Sequence, residues 1–154
     1  MTRAAVTRPA LPRLAAAVLS AALSAAAPPP LSAQSLPRQP APRNATVYFH
    51  YPLDGLRVPE RFTVRIGLKE MGVAPAGIDK PNTGHHHLLI DVDPGPPDQP
   101  IPADYNHIHL GNGQTEVVVT LPKGTHTLQL LLGDHTHAPH KPPVISQKIT
   151  IYVR

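Results

Sequence analysis

The histidines of this chain lie mainly in three short clusters, and they are the side chains best suited to chemistry. The clusters are "GHHHLLID" (residues 84–91), "HIHL" (residues 107–110) and "GDHTHAPH" (residues 133–140). The chain has 10 histidines among 154 residues and no cysteine. Imidazoles without thiolates suit zinc(II), copper(II) or nickel(II), whereas copper(I) prefers softer ligands. Metal binding is therefore the first chemistry to consider.

Two of these clusters have His-x-His spacing, which determines where their rings point. Alternate side chains of a β-strand lie on one face, and two residues span roughly 6.6 Å of backbone. His85 with His87, and His107 with His109, are thus spaced to tilt toward a shared ion. The intervening His86 is expected to face the other way, beside the apolar residues that follow, half-buried and bonded to backbone.

The third cluster adds further candidate ligands in a loop. Asp134 is expected either to bind the ion directly or to orient a histidine, and Asp91 has the same two options. The predicted metal site comprises His85, His87, His107, His109, Asp134, His135, His137 and His140.

The residues leave two alternatives to a metal site open. Histidines supply both donors and acceptors, so they also fit a structural network that holds proline-rich loops in an interaction module of the cell envelope. A pH-responsive envelope protein is the other alternative, because histidine titrates between pH 5 and 8. An enzyme is not expected, since the sequence has no cysteine nucleophile, serine elbow, H-E-x-x-H helix or glycine-rich phosphate loop.

The N-terminal segment has the features of a secretory signal peptide. Three arginines precede a 14-residue apolar run, which is too short to span a bilayer, and cleavage is expected after Ala33. The predicted organisation is a signal peptide at 1–33, a flexible proline-rich linker at 34–44 and a domain at 45–154. The protein is therefore expected in the periplasm or outside the cell, without a membrane span in the mature chain. Residues 34–154 have a net charge of +1, so nucleic acid is not an expected partner.

Short apolar alternations separated by turn signals predict an all-β domain. About seven strands favour an immunoglobulin-like antiparallel β-sandwich. In such a sandwich the strand "HHHLLIDV" lies antiparallel to "THTLQLLLG", and "HIHL" is expected to form a hairpin with "TEVVVTL". This topology predicts that the three histidine clusters meet at one end of the sandwich, with His126 at the other end.

Four stretches of the chain resemble a bacterial exported family called domain of unknown function 4399. They are "TGHHHLLID", "HIHLGNGQTE", "LPKGTHTLQLLLGDHTHAPH" and "PPVISQKITIYV". The resemblance extends from about Val47 to the C-terminus, and the grouped histidines fall inside these motifs. It implies an exported, His-rich β domain and supplies no established activity.

Overall fold

The computed structural model describes residues 37–154 of the chain. The predicted signal peptide and residues 34–36 of the predicted linker lie outside the described residues. Within the described range, no helix has the length and hydropathy needed to cross a membrane.

Two β-sheets form an all-β sandwich. The smaller sheet has the strand order β1-β3-β7, and the larger has the order β2-β9-β8-β5-β4, with β6 also paired to β5. The strands are β1 (Thr46–Tyr51), β2 (Arg57–Val58), β3 (Arg61–Lys69), β4 (Gly72–Val73), β5 (Thr83–Ile90), β6 (His107–Leu110), β7 (Glu116–Thr120), β8 (Gly124–Gly133) and β9 (Ile149–Val153).

Seven of these strands are the ones that the sequence predicts, and the two additional strands are only two residues long. β2 pairs with β9, and β4 pairs with β5, in parallel, whereas the other pairs are antiparallel. The all-β sandwich is therefore confirmed, and its immunoglobulin-like character stays a prediction.

The main core lies between the two sheets and follows the predicted alternation. In β3, Phe62, Val64 and Ile66 are buried, as are Leu128 and Leu130 in β8. Burial of such apolar side chains is the principal driving force for folding. A second, smaller cluster, formed by Leu89, Ile101 and Leu131, lies on the outer face of the larger sheet.

The predicted antiparallel pairing of "HHHLLIDV" with "THTLQLLLG" is confirmed by the register of β5 and β8. His85 lies opposite Gly133, and Ile90 lies opposite Leu128. The predicted hairpin between "HIHL" and "TEVVVTL" is wrong, because β6 pairs with β5 whereas β7 pairs with β3 in the other sheet. The turn at 111–115 therefore crosses between sheets and does not close a hairpin.

The described part of the predicted linker makes hydrogen bonds to the loop after β8. The backbone N–H of Ala41 donates to the Lys141 carbonyl at 3.0 Å, and that of Lys141 donates to the Gln39 carbonyl at 2.9 Å. Arg38 donates to the carbonyls of Pro139 and His140. Residues 38–41 are thus fastened to the loop after β8 by paired backbone groups, which composition alone does not reveal.

Candidate metal centre

The floor of the candidate site is the outer face of β5 and β6, on the side away from the main core. His87 lies directly opposite His109 across the two strands. His85 precedes His87 by two residues and shares its face, because side chains alternate along a strand. Leu88 and Ile90 face the other way and belong to the main core.

The loop after β8 supplies a fourth imidazole, that of His137. The carboxylate of Asp134 stabilises the conformation of this loop. Asp134 is fully buried. It accepts hydrogen bonds from the backbone N–H groups of Thr136 at 2.8 Å and Ala138 at 3.1 Å, and from the Thr136 hydroxyl at 2.7 Å. Local bonds of this kind stabilise tight turns. The loop then bridges back from Pro139 to Gly133.

His137 lies in this turn with a backbone φ of 68°. This left-handed conformation is uncommon for a residue other than glycine and carries a conformational cost. The His137 ring lies 5.0 Å from the His85 ring and 4.8 Å from the His109 ring, measured between centroids. The strained turn thus brings the loop histidine onto the two strands.

His85, His87, His109 and His137 together form what we call the four-histidine cluster. Ring nitrogens of His85, His109 and His137 lie within 4.8 Å of one another. The His87 ring centroid lies 4.8 Å from that of His85, 5.0 Å from His109 and 6.2 Å from His137. His85, His109 and His137 are therefore close enough together for their nitrogens to serve as ligands of one divalent transition metal ion.

Three rings of this cluster have buried nitrogens without hydrogen-bond partners within the described residues. His85 and His87 are fully buried. Within residues 37–154, neither nitrogen of either ring has a hydrogen-bond partner, nor has Nε2 of His109. A buried polar group left unsatisfied costs on the order of 1–3 kcal/mol, so a group of them in one place calls for a physical explanation.

The same environment lowers the pKa values of His85, His87 and His109. Burial, together with the neighbouring imidazoles, lowers the pKa of His85 to about 4 and that of His87 to about 2. Burial and the nearby His137 also lower the pKa of His109. Neutral imidazoles have the free lone pair that a metal ion needs, because a protonated ring cannot coordinate.

Two glycines make room for the rings. A Cβ atom at Gly133 would lie 2.7 Å from Cε1 of His87 and 3.4 Å from Nε2 of His85. A Cβ atom at Gly111 would lie 2.2 Å from Cε1 of His109. The absence of a side chain at these positions therefore permits the close packing of the imidazoles. In the sequence, this is indicated by Gly133 just before the third histidine cluster and by Gly111 just after the second.

The other predicted ligands have different partners. Nδ1 of His107 lies 2.8 Å from the Asp104 carboxylate. His135 contacts the Gln39 side chain at 3.2 Å. Asp134 uses its carboxylate for the turn, as described above, and does not join the cluster. Of the eight predicted residues, the structure brings together His85, His87, His109 and His137 and places His107, Asp134, His135 and His140 elsewhere.

His140 and Asp91 are held by contacts away from the cluster. Nε2 and Nδ1 of the buried His140 lie 3.1 Å and 3.4 Å from the carbonyl oxygens of Thr83 and Leu132. Asp91 lies 2.6 Å from Nδ1 of His126, at the opposite end of β5. These contacts fix backbone and loops, which is the structural role that the sequence left open for some histidines.

His86 departs from its expected environment, although it faces away from the cluster as predicted. It is fully buried, not half-buried, and neither ring nitrogen has a hydrogen-bond partner within the described residues. Burial lowers its pKa to about 4. The expected bond to backbone is absent because neighbouring backbone groups pair along the β5–β8 and β5–β6 ladders.

Residues 38 and 39 also contribute to the site, which their sequence does not predict. The Gln39 backbone N–H donates to the Asp134 carboxylate at 3.2 Å, and the Gln39 side chain contacts His135. Gln39 therefore helps to hold the loop that carries His137 in place. A proline-rich composition gives no signal for such contacts.

The fold and the cluster together define an all-β sandwich protein with four imidazoles gathered on one sheet face. The chain belongs to the family described as Domain of unknown function (DUF4399), whose model matches residues 64–154. This match confirms the family resemblance, and it includes all four histidines of the cluster.

Other comparisons add little. No curated protein matches the chain. Among solved structures, the chain is similar to "X-ray structure of the endo-beta-1,4-mannanase from Thermotoga petrophila", with 19% sequence identity and a TM-score of 0.43. The similarity covers 73% of this chain and 20% of that chain, so this chain spans about a fifth of that protein's length. A similarity at this level is too low to assign a fold or an activity.

Proposed function

We propose that this protein is an exported, non-enzymatic protein that binds a divalent transition metal ion, zinc(II), copper(II) or nickel(II), through the four-histidine cluster. The observation that carries the proposal is the convergence of buried, unpartnered ring nitrogens from β5 and β6 with the ring of His137 from the loop after β8. Coordination would satisfy nitrogens that otherwise cost stability. The signal-peptide pattern of residues 1–33 supports export.

The lowered pKa values of His85, His87 and His109 support the same proposal. Imidazoles that are already neutral release no proton when an ion binds. The donors are all imidazoles, which match the preferences of these three ions. The second nitrogens of His85 and His87 have no acceptor within the described residues. Since such outer partners typically raise affinity 10–100-fold, we expect binding weaker than that of fully supported structural zinc sites.

A structural or interaction module is the second candidate function. The residues that favour it are not those of the four-histidine cluster. His107, His140 and Asp134 bond to loops and neighbouring side chains. If the four-histidine cluster behaved in the same way, its nitrogens would be expected to have protein partners. The histidines therefore divide into a group suited to binding an ion and a group that fixes the loops around it.

Calorimetric titration of zinc(II) and copper(II) into the untagged protein tests the proposal. We expect binding tighter than roughly 100 μM, which corresponds to about −5.5 kcal/mol. If neither ion binds with that affinity, the metal-binding function is wrong and the structural module is the better explanation.

A further inference from the structure

We infer that the four-histidine cluster is a closed tetrahedral site, which takes zinc with four imidazole ligands and no coordinated water. This inference rests on the proposed function and specifies how the metal ion is coordinated. It concerns the identity of the ion and the number of ligands, which the presence of histidines alone leaves open.

The distances between the rings carry the inference. Five of the six centroid distances lie between 4.8 and 5.0 Å, and one is 6.2 Å. With a zinc–nitrogen bond of 2.0–2.1 Å, a ring centroid lies about 3.2 Å from the ion, so a regular tetrahedron gives roughly 5.2 Å between all centroids. A square plane gives four distances of about 4.5 Å and two of about 6.4 Å. The cluster has one long centroid distance, whereas a square plane requires two, so its geometry is that of a distorted tetrahedron.

Three of the ligands follow directly from the positions of their nitrogens. His85, His109 and His137 each offer a ring nitrogen within 4.8 Å of the others. They come from β5, β6 and the loop after β8, so they approach a central point from three elements. Small rotations of these rings bring the nitrogens to bonding distance, because the centroids already have nearly the separation that zinc requires.

His87 is the residue that decides between an open and a closed site. It lies outside the three-residue group, and the long distance of 6.2 Å is the one between His87 and His137. Both its nitrogens are nevertheless buried without partners, and its ring centroid lies 4.8 Å from that of His85 and 5.0 Å from that of His109. An approach of about 1 Å toward His137 makes His87 the fourth ligand.

A closed site has a chemical consequence. Structural zinc sites have four protein ligands, whereas catalytic sites keep one position for water. A tetrahedron of imidazoles leaves no position at which zinc activates a water molecule. His109 and His137 are only partly buried, in contrast to His85 and His87. The ion therefore enters and leaves from the side of His109 and His137.

Cobalt(II) substitution tests the geometry in the full-length protein. Four-coordinate cobalt has intense visible d–d bands, whereas six-coordinate cobalt has weak ones. We expect the intense bands, with no change on addition of azide, because no coordinated water is available for exchange. We also expect zinc to bind at least about tenfold more tightly than nickel, since nickel favours square-planar or octahedral geometry.

Variants of His87 test the number of ligands. In His87→Gln, we expect the cobalt bands to shift and to become sensitive to azide, because a ligand position opens. His107→Gln is the matched control on the neighbouring strand, and it should retain the wild-type spectrum. The azide and nickel measurements use the wild-type protein, so they test the closed tetrahedral site even if His87→Gln fails to fold.

The outcomes separate this inference from the proposed function. If zinc and cobalt do not bind at all, both are wrong. If they bind but cobalt is six-coordinate or azide-sensitive in the wild type, or if nickel binds as tightly as zinc, the metal-binding function stands and the closed tetrahedral site is overturned.

Discussion

His87 and His109 stack across β5 and β6, with centroids 5.0 Å apart and ring planes inclined by 26°. Their register as directly opposed residues fixes this arrangement. Cross-strand neighbours on one face are the closest side-chain pairs of a sheet. Pairing of the two His-x-His strands, together with the turn at His137, therefore creates the candidate metal centre.

Replacing His137 is expected to weaken zinc binding by the cluster without unfolding the protein. His137→Asn suits the test because asparagine tolerates the φ of 68° at this position. We expect zinc affinity to fall by at least about tenfold, since even the loss of an outer partner has an effect of this size. His135→Asn, in the same loop, is the matched control and should bind zinc like the wild type. Equal losses in both variants, measured by calorimetry, would contradict the assignment.

Gly133→Ala is expected to disturb the cluster through steric contact. The added Cβ would meet His87 at 2.7 Å. Overpacking of this kind typically costs 1–3 kcal/mol of unfolding free energy, and we expect about that loss together with weaker zinc binding. Gly95→Ala is the control, because a Cβ there has no atom within 4 Å. Urea unfolding and zinc titration measure both effects, and an unchanged Gly133→Ala protein would show that the rings do not need this space.

His86→Leu is expected to stabilise the protein. His86 is buried on the core-facing side of β5, with two nitrogens unpartnered within the described chain. Replacing it by an apolar residue of similar size removes this cost, so the unfolding free energy should rise by about 1–3 kcal/mol. Zinc affinity should remain unchanged, because the side chain faces away from the cluster. Loss of zinc binding in this variant would show that His86 takes part in the site.

The metal-free protein is expected to lose stability on acidification. Burial lowers the folded-state pKa of His85 and His86 to about 4 and that of His87 to about 2, from an ordinary value of 6.5. Below pH 6.5 the unfolded chain takes up protons that the folded chain does not. The contribution is therefore fully present above pH 6.5, and it is lost progressively as the pH falls toward 4.

Urea unfolding of the metal-free protein at several pH values between 7.5 and about 4 measures this dependence. His86→Leu should show a shallower loss, because one of the three groups is removed. A metal-free protein that is equally stable at both ends of this range would show that burial does not lower the pKa values of His85, His86 and His87.

Much of the fold could be predicted from local patterns. The alternation in β3 identifies its buried face, and His86 was expected opposite His85 and His87 because alternation along a strand is a local property. The partner of "HIHL" could not be predicted in this way. A hairpin across 111–115 and a crossover to the other sheet have similar local sequences, and only the packing of the two sheets decides between them.

The candidate site was predicted in part. The histidines at 85, 87 and 109 could be grouped by their spacing on strands. His135 and His137 lie in a loop, where the spacing does not predict which of the two rings faces the sheet. The hydrogen bonds of Asp134 determine which of these two faces the sheet. His140 and His107 have the same sequence pattern as the four cluster histidines, because sequence does not show which imidazoles find acceptors in their own loops.

Elemental analysis of the protein, purified without an affinity tag from the envelope of a cell that exports it, tests the central claim most directly. We predict one zinc ion per chain in the wild type and its loss in His137→Asn. Wild-type protein that contains no stoichiometric zinc, copper or nickel under these conditions would contradict the claim.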